Sequence, residues 1–570
     1  MESGSGLNKA MEGGEMPTSY DIPGLEWDEE NDLKNFRVWI VDFVHGQPFT
    51  PLMLREFVTL NAFHLWATDE LSLPTSKGLL WKVVDGWARF TPVVPANDEI
   101  PERTRIFKEK MPSLMENHER LWAQDKDAMM EPYRPFLEAE FEKVSDGEAW
   151  RLFNDSFHIF EKQAWPHIYW FWFYCQFYNE FRNACREMLG ISEHDPLFKK
   201  LLAGFDNKLF EVDRGLWGLA DRARELKLDN TFLTIEDGDQ VISALEESDA
   251  GKKWLEEFRK FLKVYGWRCV SVNDFETPTW VEKPSLAIPR VKGHLQSKTS
   301  VFAPDEERKH LAKEREEAER EILARVPLER REWFGLLMKL GQAAGVWSEE
   351  HAYYLDMFGW AIVHHAVEEA GRRLARAGVI DEPHDIYFLL KEEARWPIIA
   401  GGTINLRRQV NRRKEEYQRN IKNVPDLFHG DLSALPEVTS TNPGLSLFTP
   451  YPIVKPELKA DLYGTVSTPG VAEGIARLIP PGIEGEKELA KIKPGEILVA
   501  PGTNPSMTPV FGIIAGAVTD GGGAMAHAAI VSREYGIPSV VGTIEATSKI
   551  KTGQRIRVDG DNCAVYILDK

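Results

Sequence analysis

The chain has 570 residues, long enough for more than one hydrophobic core. It is 43% hydrophobic and 28% charged, and its four cysteines form no CxxC motif. These features argue against a disordered chain, a disulfide framework and a zinc site, and they suit a reducing cytoplasm. A net charge of −20 disfavours nonspecific binding to nucleic acid or acidic membranes, and no apolar run is long enough to span a membrane.

Helical periodicity dominates most of the chain. We expect residues 1–20 to be disordered and residues 21–424 to form a large, mainly α-helical domain. Apolar positions three and four residues apart predict helices within the following segments: 136–190, 208–226, 304–342 and 349–377. The stretch 268–284 is rich in proline and β-branched residues, which indicates a loop with short extended pieces.

The composition changes near residue 450. Residues 425–455 are rich in proline, serine and threonine, which is typical of a linker, so we predict a hinge there. Residues 456–570 contain short apolar runs punctuated by glycine and proline, such as GEILVAPG and RIRVDG. Two short helical stretches interrupt these runs, near 507–515 and 526–535. The C-terminal part is therefore predicted to be a small α/β domain.

The strongest chemical signal lies in residues 519–543, TDGGGAMAHAAIVSREYGIPSVVGT. A predicted strand leads into three glycines, and His527 follows in the first turn of a predicted helix. Glycines let backbone N–H groups approach an anion, and a helix N-terminus favours phosphate. His527 is therefore a candidate nucleophile for phosphoryl groups, although an isolated turn of this kind more often only caps or packs a helix. The predicted phosphate-binding residues are Thr519, Gly521, Gly522, Gly523 and Ala526.

This segment resembles the phosphohistidine signature of the swivelling domain in phosphoenolpyruvate-utilising enzymes. The resemblance begins at GTVSTPGVAEGIARLI, continues through GEILVAPGTNPSMTPVF and ends with ATSKIKTGQRIRVDG. It implies a C-terminal swivelling β/β/α domain, residues 456–570, with His527 as the catalytic residue that carries the phosphoryl group. The expected fold class is thus multidomain, with the large helical domain preceding the swivelling domain.

Met525 distinguishes this chain from the dikinases of that family. Dikinases tend to have Thr-Ser-His, whereas this chain has Met525-Ala526-His527. The apolar Met525 resembles the branch that contains rifampin phosphotransferase and phenylphosphate synthase. A methionine there either packs against an aromatic acceptor or belongs to the core, and both interpretations stay open.

The helical part also resembles the acceptor-binding domain of that branch. The matching segments are WIVDFVHGQPFTPL (39–52), FLKVYGWRCVSVNDFETPTWVEKP (261–284) and GRRLARAGVIDEPHDIYFLLKEE (371–393). Residues 165–181, WPHIYWFWFYCQFYNEF, form either a buried core helix or one wall of an apolar cavity for an aromatic ring. The candidate substrate-binding residues are His45, Asp42, Arg268, Glu282, Arg372, Trp267, Trp280 and Met525.

Specific roles follow for some of these candidates if the acceptor is a phenol. His45 is a candidate base, and Arg268 and Arg372 are candidates to stabilise a phenolate. Glu282 is a candidate base or orienting group, and Trp267 and Trp280 would close the cavity. For the four polar candidates a structural ion pair or hydrogen bond is an equally good interpretation.

No ATP-grasp segment or phosphoenolpyruvate-binding barrel is recognisable in the sequence. We therefore expect ATP, with Mg²⁺ or Mn²⁺, to be bound by a separate ATP-grasp subunit, and we predict no metal-ligand cluster in this chain. The leading hypothesis is a cytoplasmic, phosphohistidine-bearing subunit that phosphorylates a phenol or alkylphenol, similar to phenylphosphate synthase. The alternatives are a rifampin-type antibiotic phosphotransferase component and a noncatalytic phosphocarrier or regulatory scaffold.

Overall fold

The computed structural model describes residues 26–42, 47–138, 143–269, 276–296, 303–400, 404–449 and 456–569. The disorder expected for residues 1–20, and the candidate base His45, lie outside these described residues. The described part forms a large, mostly helical domain followed by a C-terminal domain built on a β-sheet, so the predicted fold class is confirmed.

The helices of the larger domain, up to residue 449, include one very long helix and several short ones. In chain order they are α1 (Glu29–Asn35), α2 (Pro51–Leu71), α3 (Ile100–Met130), α4 (Arg134–Glu138), α5 (Asp146–Leu189), α6 (Pro196–Leu201), α7 (Lys208–Glu225), α8 (Asp229–Thr234), α9 (Gly238–Glu246), α10 (Asp249–Tyr265), α11 (Ile288–Gln296), α12 (Ala303–Arg325), α13 (Arg331–His351), α14 (Trp360–Arg376), α15 (Lys391–Ala400), α16 (Arg407–Asn420), α17 (Leu435–Thr441) and α18 (Leu445–Phe448). A π-helical segment, Ala352–Gly359, joins α13 to α14 without a break.

Helix α5 is the 44-residue centre of this domain. It starts where the Ser145 side chain accepts a hydrogen bond from the N–H of Glu148, and it ends at Gly190, whose φ of 68° suits glycine. Most of its aromatic side chains are buried against α2, α3 and α13. At Gly341, on α13, an added Cβ would lie only 2.5 Å from the Phe181 ring, so glycine permits this close packing. The aromatic stretch is therefore mainly a core helix.

A small antiparallel sheet in the helical domain was not predicted. Its strands are β1 (Val38–Val41), β2 (Leu79–Val84), β3 (Trp87–Pro92) and β4 (Phe428–Gly430), in the order β2-β3-β1-β4. Strands β2 and β3 form a hairpin whose two-residue turn, Asp85-Gly86, has positive φ at both positions. Such Asp-Gly turns match the twist of a hairpin, so this element was readable in the sequence.

The predicted hinge 425–455 needs a correction. Strand β4 pairs with β1, and Leu445 and Leu447 of α18 are buried in the main core of the helical domain. Residues 425–449 are therefore folded onto the helical domain, because their apolar side chains find partners there. Residues 450–455 lie outside the described residues.

The C-terminal domain contains one eight-stranded mixed sheet. Its strands are β5 (Leu462–Tyr463), β6 (Val466–Thr468), β7 (Val471–Leu478), β8 (Ile497–Ala500), β9 (Gly516–Thr519), β10 (Ser539–Val541), β11 (Arg555–Asp559) and β12 (Ala564–Ile567), and its α-helices are α19 (Gly482–Leu489), α20 (His527–Glu534) and α21 (Ala546–Lys549). The strand order is β5-β12-β11-β7-β8-β9-β10-β6, and the central strands β7, β8, β9 and β10 are parallel. The parallel strands β8 and β9 end at the same edge, where the glycine-rich loop begins.

The two domains meet through buried polar contacts. The Glu534 carboxylate accepts hydrogen bonds from the N–H groups of Gly204 (2.8 Å) and Phe205 (3.1 Å). The N–H of Met525 donates to the carbonyl of Leu447 at 3.2 Å. Such directional contacts fix how the C-terminal domain sits on the helical one. Within the described residues, no helix has both the length and the apolar character that crossing a membrane requires.

Candidate active site

His527 is the first residue of helix α20 and follows a turn built on glycine. Gly522, in that turn, has φ of 106°, a conformation that other residues rarely adopt. The ring nitrogens of His527 each contact a threonine hydroxyl: Nδ1 lies 2.8 Å from Oγ1 of Thr503, and Nε2 lies 3.0 Å from Oγ1 of Thr508. Because a hydroxyl can donate or accept, these two contacts hold a neutral imidazole in one orientation.

The surroundings of His527 keep it unprotonated. Its side chain is only 8% exposed, and burial, with a further contribution from the charge of Arg268, lowers its pKa to about 3. At neutral pH the ring therefore has one nitrogen with a free electron pair. A phosphoryl acceptor needs this form, because only an unprotonated nitrogen can attack phosphorus.

A carboxyl group of the helical domain faces the ring. Oε2 of Glu349, on α13, lies 3.7 Å from Nε2 of His527 and has no hydrogen-bond partner among the described residues. Burial, reinforced by the charge of Glu534, raises the pKa of Glu349 to about 8. A buried carboxyl oxygen without a partner is costly, so it often marks a functional position.

The cavity beside His527 has a volume of about 300 Å³ and is shared by the two domains. The helical domain contributes apolar walls, including Trp81, Phe90, Phe171 and Phe448, and the C-terminal domain contributes the glycine-rich loop. Its described lining residues include four carboxylates and no lysine or arginine. The acidic residues are Asp42, Glu349, Asp356 and Glu486. Burial raises the pKa of Glu349 and of Asp356 to about 8, and Glu486 pairs with Arg290, so the wall carries little net negative charge at neutral pH. An uncharged, partly apolar ligand suits such walls.

Two histidines and one aspartate meet on the wall of this cavity. Nδ1 of His167 lies 3.9 Å from Oδ1 of Asp356, and Nε2 of His351 lies 3.5 Å from Oδ2 of Asp356. Their candidate ligand atoms all lie within 4.8 Å of one another. The sequence predicted no metal-ligand cluster in this chain, and this group is a candidate for one. Sequence spacing did not reveal it, because His167 is on α5 and the other two residues are on α13 and the π-helical segment.

Comparison with known proteins assigns the domain that carries His527. Residues 492–563 match the family described as the mobile domain of PEP-utilising enzymes. We call the C-terminal domain, residues 456–569, the mobile domain after this match. In the helical part, residues 172–349 match the family described as the fourth domain of rifampicin phosphotransferase. The match includes Glu349, which faces the ring of His527.

Curated relatives agree with these two matches. An uncharacterised phosphotransferase, YvkC, of Bacillus subtilis is 27% identical over 403 residues, which cover 69% of this chain and 46% of that protein. A rifampicin phosphotransferase of a Streptomyces species is 31% identical over 377 residues, which cover 64% of this chain and 41% of that enzyme. The phosphoenolpyruvate synthase of Pyrococcus furiosus is 48% identical over 110 residues, which cover 19% of this chain and 13% of that enzyme. The chain spans less than half the length of these relatives.

The predicted phosphate-binding residues of the mobile domain lie in two environments. Thr519, Gly521, Gly522 and Ala526 line the cavity. The N–H of Gly521 donates to the Pro501 carbonyl and that of Ala526 to the Gly523 carbonyl, so these two amides already have acceptors. Gly523 packs on the helical domain, where an added Cβ would lie 2.4 Å from the Leu447 oxygen. The absence of a side chain at Gly523 therefore allows the two domains to pack closely at this point.

Of the predicted substrate residues, Asp42 and Met525 line the cavity. Met525 also belongs to the main apolar core, and its packing against an aromatic acceptor stays a prediction. Arg268 is buried behind the site, where it donates to the carbonyl of Pro505 at 3.0 Å and stacks on Trp280 at 4.6 Å. The positive charge of Arg268 helps to lower the pKa of His527.

The remaining candidates are not among the cavity-lining residues. Trp280 is fully buried in a separate apolar cluster, and Trp267 packs edge-on against His365. Glu282 lies 3.0 Å from His364 and 3.2 Å from His365, and the hydrogen bonds of these histidines outweigh burial and lower its pKa. Arg372 pairs with Glu369 on the same helix. These four residues therefore have structural partners, which was the alternative interpretation for Glu282 and Arg372.

Sequence reasoning missed several residues that surround His527. Thr503 and Thr508 lie in the segment already matched to the family, and the Thr-x-Pro pattern of Thr503-Asn504-Pro505 was the available signal. Glu349 and His351 carried no signal, because a charged residue near the end of a helix is normally solvated. Only the packing of α13 against the mobile domain reveals them.

Proposed function

We propose that this chain is a phosphohistidine phosphotransferase in which His527 carries a phosphoryl group to a hydroxyl compound bound in the cavity. The observation that supports this most is the position of His527: a neutral imidazole at a helix N-terminus, facing a cavity that a second domain closes. The two family matches and the phosphotransferase relatives support the same reaction class.

The nitrogen that carries the phosphoryl group is Nε2 in this proposal. Thr503 can accept a hydrogen bond from Nδ1–H, which leaves the electron pair on Nε2, the nitrogen that faces Glu349. In the transfer step, the acceptor oxygen forms a bond to phosphorus as the Nε2–P bond breaks. The electron pair of that bond returns to the ring, and the hydroxyl proton is released to water. Such a reaction depends on positioning more than on covalent chemistry.

The relatives favour a rifamycin-type acceptor. These relatives include a rifampicin phosphotransferase, and the helical part matches a domain of that enzyme. This proposal requires the mobile domain to move, because a macrocycle needs more room than the present cavity offers.

A small phenol is a second candidate acceptor, and the cavity itself favours it. A volume of about 300 Å³ is at the lower end of ligand pockets, which hold roughly 300–1,000 Å³. Aromatic and aliphatic walls would hold the ring. A phenol or alkylphenol can occupy this volume without domain movement.

We further propose that the phosphoryl donor is ATP bound, with Mg²⁺ or Mn²⁺, by a separate ATP-grasp subunit. The described cavity lining supports this, because it offers no lysine or arginine to bind a triphosphate beside His527. On this proposal, the mobile domain moves between the partner and the acceptor cavity.

The transfer step can be tested without the partner. The full chain is treated with phosphoramidate, a small phosphoryl donor, and ³¹P NMR measures the phosphohistidine that forms. Phenol, p-cresol or rifampicin is then added, and loss of phosphohistidine with gain of a phosphate ester supports transfer and identifies the acceptor class. The His527→Ala variant should give no signal, and the exposed His158→Ala variant is the matched control. Labelling of His527 that no hydroxyl compound discharges would leave only a noncatalytic carrier.

A further inference from the structure

Three side chains on the cavity wall have the geometry of a metal site. His167, His351 and Asp356 each direct one ligand atom to a common region, with separations of 3.5 and 3.9 Å from the two histidine nitrogens to the carboxylate oxygens. These separations are too long for strong hydrogen bonds. They agree with ligands held at about 2.0–2.2 Å around one divalent ion, which are roughly 3–4 Å apart.

The hydrogen bonding of His351 directs a free electron pair to this region. Its Nδ1 lies 3.1 Å from the carbonyl oxygen of Trp347, which can only accept, so Nδ1 carries the proton. In the neutral ring, Nε2 is then unprotonated and faces Asp356. Histidines that bind metals usually donate their other N–H to such a carbonyl, which fixes the ring and its tautomer. His351 therefore has the orientation of a ligand.

The charge of the cavity gives an independent reason for a cation. Phosphoryl transfer requires positive charge near the moving group. The described lining residues include no lysine or arginine, and Arg268, whose charge acts on His527, lies behind the site against Pro505 and Trp280. A divalent cation on the cavity wall would add positive charge on the acceptor side of the site.

We propose that His167, His351 and Asp356 bind one divalent transition-metal ion of the zinc or manganese type. Two nitrogens and one carboxylate oxygen leave open positions, as in sites where a metal acts on a ligand. These positions face the cavity, where the ion holds the hydroxyl oxygen of the acceptor close to His527. The role of the ion rests on the proposed function, whereas the binding of the ion does not.

Metal binding is measured first, on the unphosphorylated full chain after dialysis against a chelator. Isothermal titration with Zn²⁺ and with Mn²⁺ should show one site per chain for at least one of them. Co²⁺ should give the visible absorption of nitrogen and oxygen coordination. His351→Ala and Asp356→Asn should each weaken binding at least tenfold. The matched control is His158→Ala, an exposed histidine on the same helix as His167, which should bind like the wild type.

The outcomes separate the metal site from the proposed function. Wild-type chain that binds neither Zn²⁺, Mn²⁺ nor Co²⁺ overturns the site, as does binding that Asp356→Asn and His351→Ala leave unchanged. Circular dichroism checks that these variants fold, and His167→Asn, a smaller change, replaces any that does not. His527→Ala should bind the metal normally. Metal binding without phosphoryl transfer would leave this site intact and remove only the proposed function.

Discussion

Oε2 of Glu349 lies 3.7 Å from Nε2 of His527, so a carboxyl group of the helical domain faces the imidazole of the mobile domain. Burial favours the neutral form of both groups. It raises the pKa of Glu349 to about 8 and lowers the pKa of His527 to about 3. At neutral pH they therefore do not form an ion pair. The ring therefore stays unprotonated, the form that can attack phosphorus.

We predict phosphorylation at Nε2 of His527, in the tautomer whose Nδ1–H donates to the hydroxyl of Thr503. The two phosphohistidine isomers have separate ³¹P NMR signals, so the loaded chain distinguishes them. Thr503→Val should slow loading about tenfold, in line with the loss of a buried hydrogen bond of about 1.4 kcal/mol. Thr104→Val, on an exposed helix face, is the control. A phosphoryl group on Nδ1 would contradict this prediction.

Replacing Glu349 with leucine should stabilise the chain and impair transfer. The substitution removes a buried oxygen that lacks a partner, for a gain of about 1–2 kcal/mol in the free energy of unfolding. Phosphoryl transfer to the acceptor should fall, while loading of His527 continues. The neighbouring Glu350 accepts a hydrogen bond from Trp122 at 2.8 Å, so Glu350→Leu should destabilise instead. Thermal melting and discharge of phosphohistidine measure the two effects, and a less stable Glu349→Leu chain would argue against a functional role.

Arg268 should stabilise the phosphorylated form of His527. Its buried charge already acts on the neutral ring, and a phosphoryl group brings negative charge to the same place. Arg268→Met should speed the hydrolysis of phosphohistidine about tenfold, and Arg268→Lys should restore part of the difference. Arg372→Met, at a residue outside the described cavity lining, removes one partner of the buried Glu369, which keeps its ion pair with Arg373, and should leave the hydrolysis of phosphohistidine unchanged. Equal effects of the two methionine variants would contradict the prediction.

Glu534 should make the contact between the domains sensitive to pH. Burial raises its pKa from 4.5 to about 7, against the opposing effects of Arg533, Arg315 and two backbone N–H groups. Between these pH values the folded chain keeps a proton that the unfolded chain releases. The contribution of Glu534 to stability is therefore complete below about pH 4.5 and is lost as the pH rises through 7.

The Glu534→Gln variant isolates this effect. Its melting temperature should fall less than that of the wild type between pH 5 and 8. Since Glu349 also interacts with Glu534, the double variant with Glu349→Gln shows whether the two carboxyl groups act together. A wild-type profile that matches the Glu534→Gln profile would show that this carboxyl group has no part in the pH dependence.

The sequence predicted the mobile domain well because its signals are local. Strands, glycine turns and the helix of His527 follow one another within about 100 residues, so each pattern could be recognised in place. The helical domain was harder. Its small sheet joins β1 to β4, which are separated by almost 400 residues, and no local pattern indicates such a pairing.

The acceptor side of the site was predicted least. Four of the candidates have residue types suited to binding, but their side chains pack against or pair with neighbours within the helical domain: Trp267, Trp280, Glu282 and Arg372. The residues that do face His527 from that domain come from α13, and only the docking of two domains brings them there. Residue type predicts chemistry, whereas long-range packing decides which residues share a cavity.

The π-helical segment Ala352–Gly359 sets the direction of Asp356. Wider turns of this kind accommodate an extra residue that an ordinary helix would not hold. Removing a single residue between positions 352 and 359 would let α13 and α14 merge into one regular rod, and Asp356 would rotate away from His351. The apolar faces of α13 and α14 would then no longer point in the directions that they have relative to each other in this structure. With one residue fewer, the helix would only pack against its neighbours. With the extra residue, it places the carboxyl group of Asp356 at the cavity.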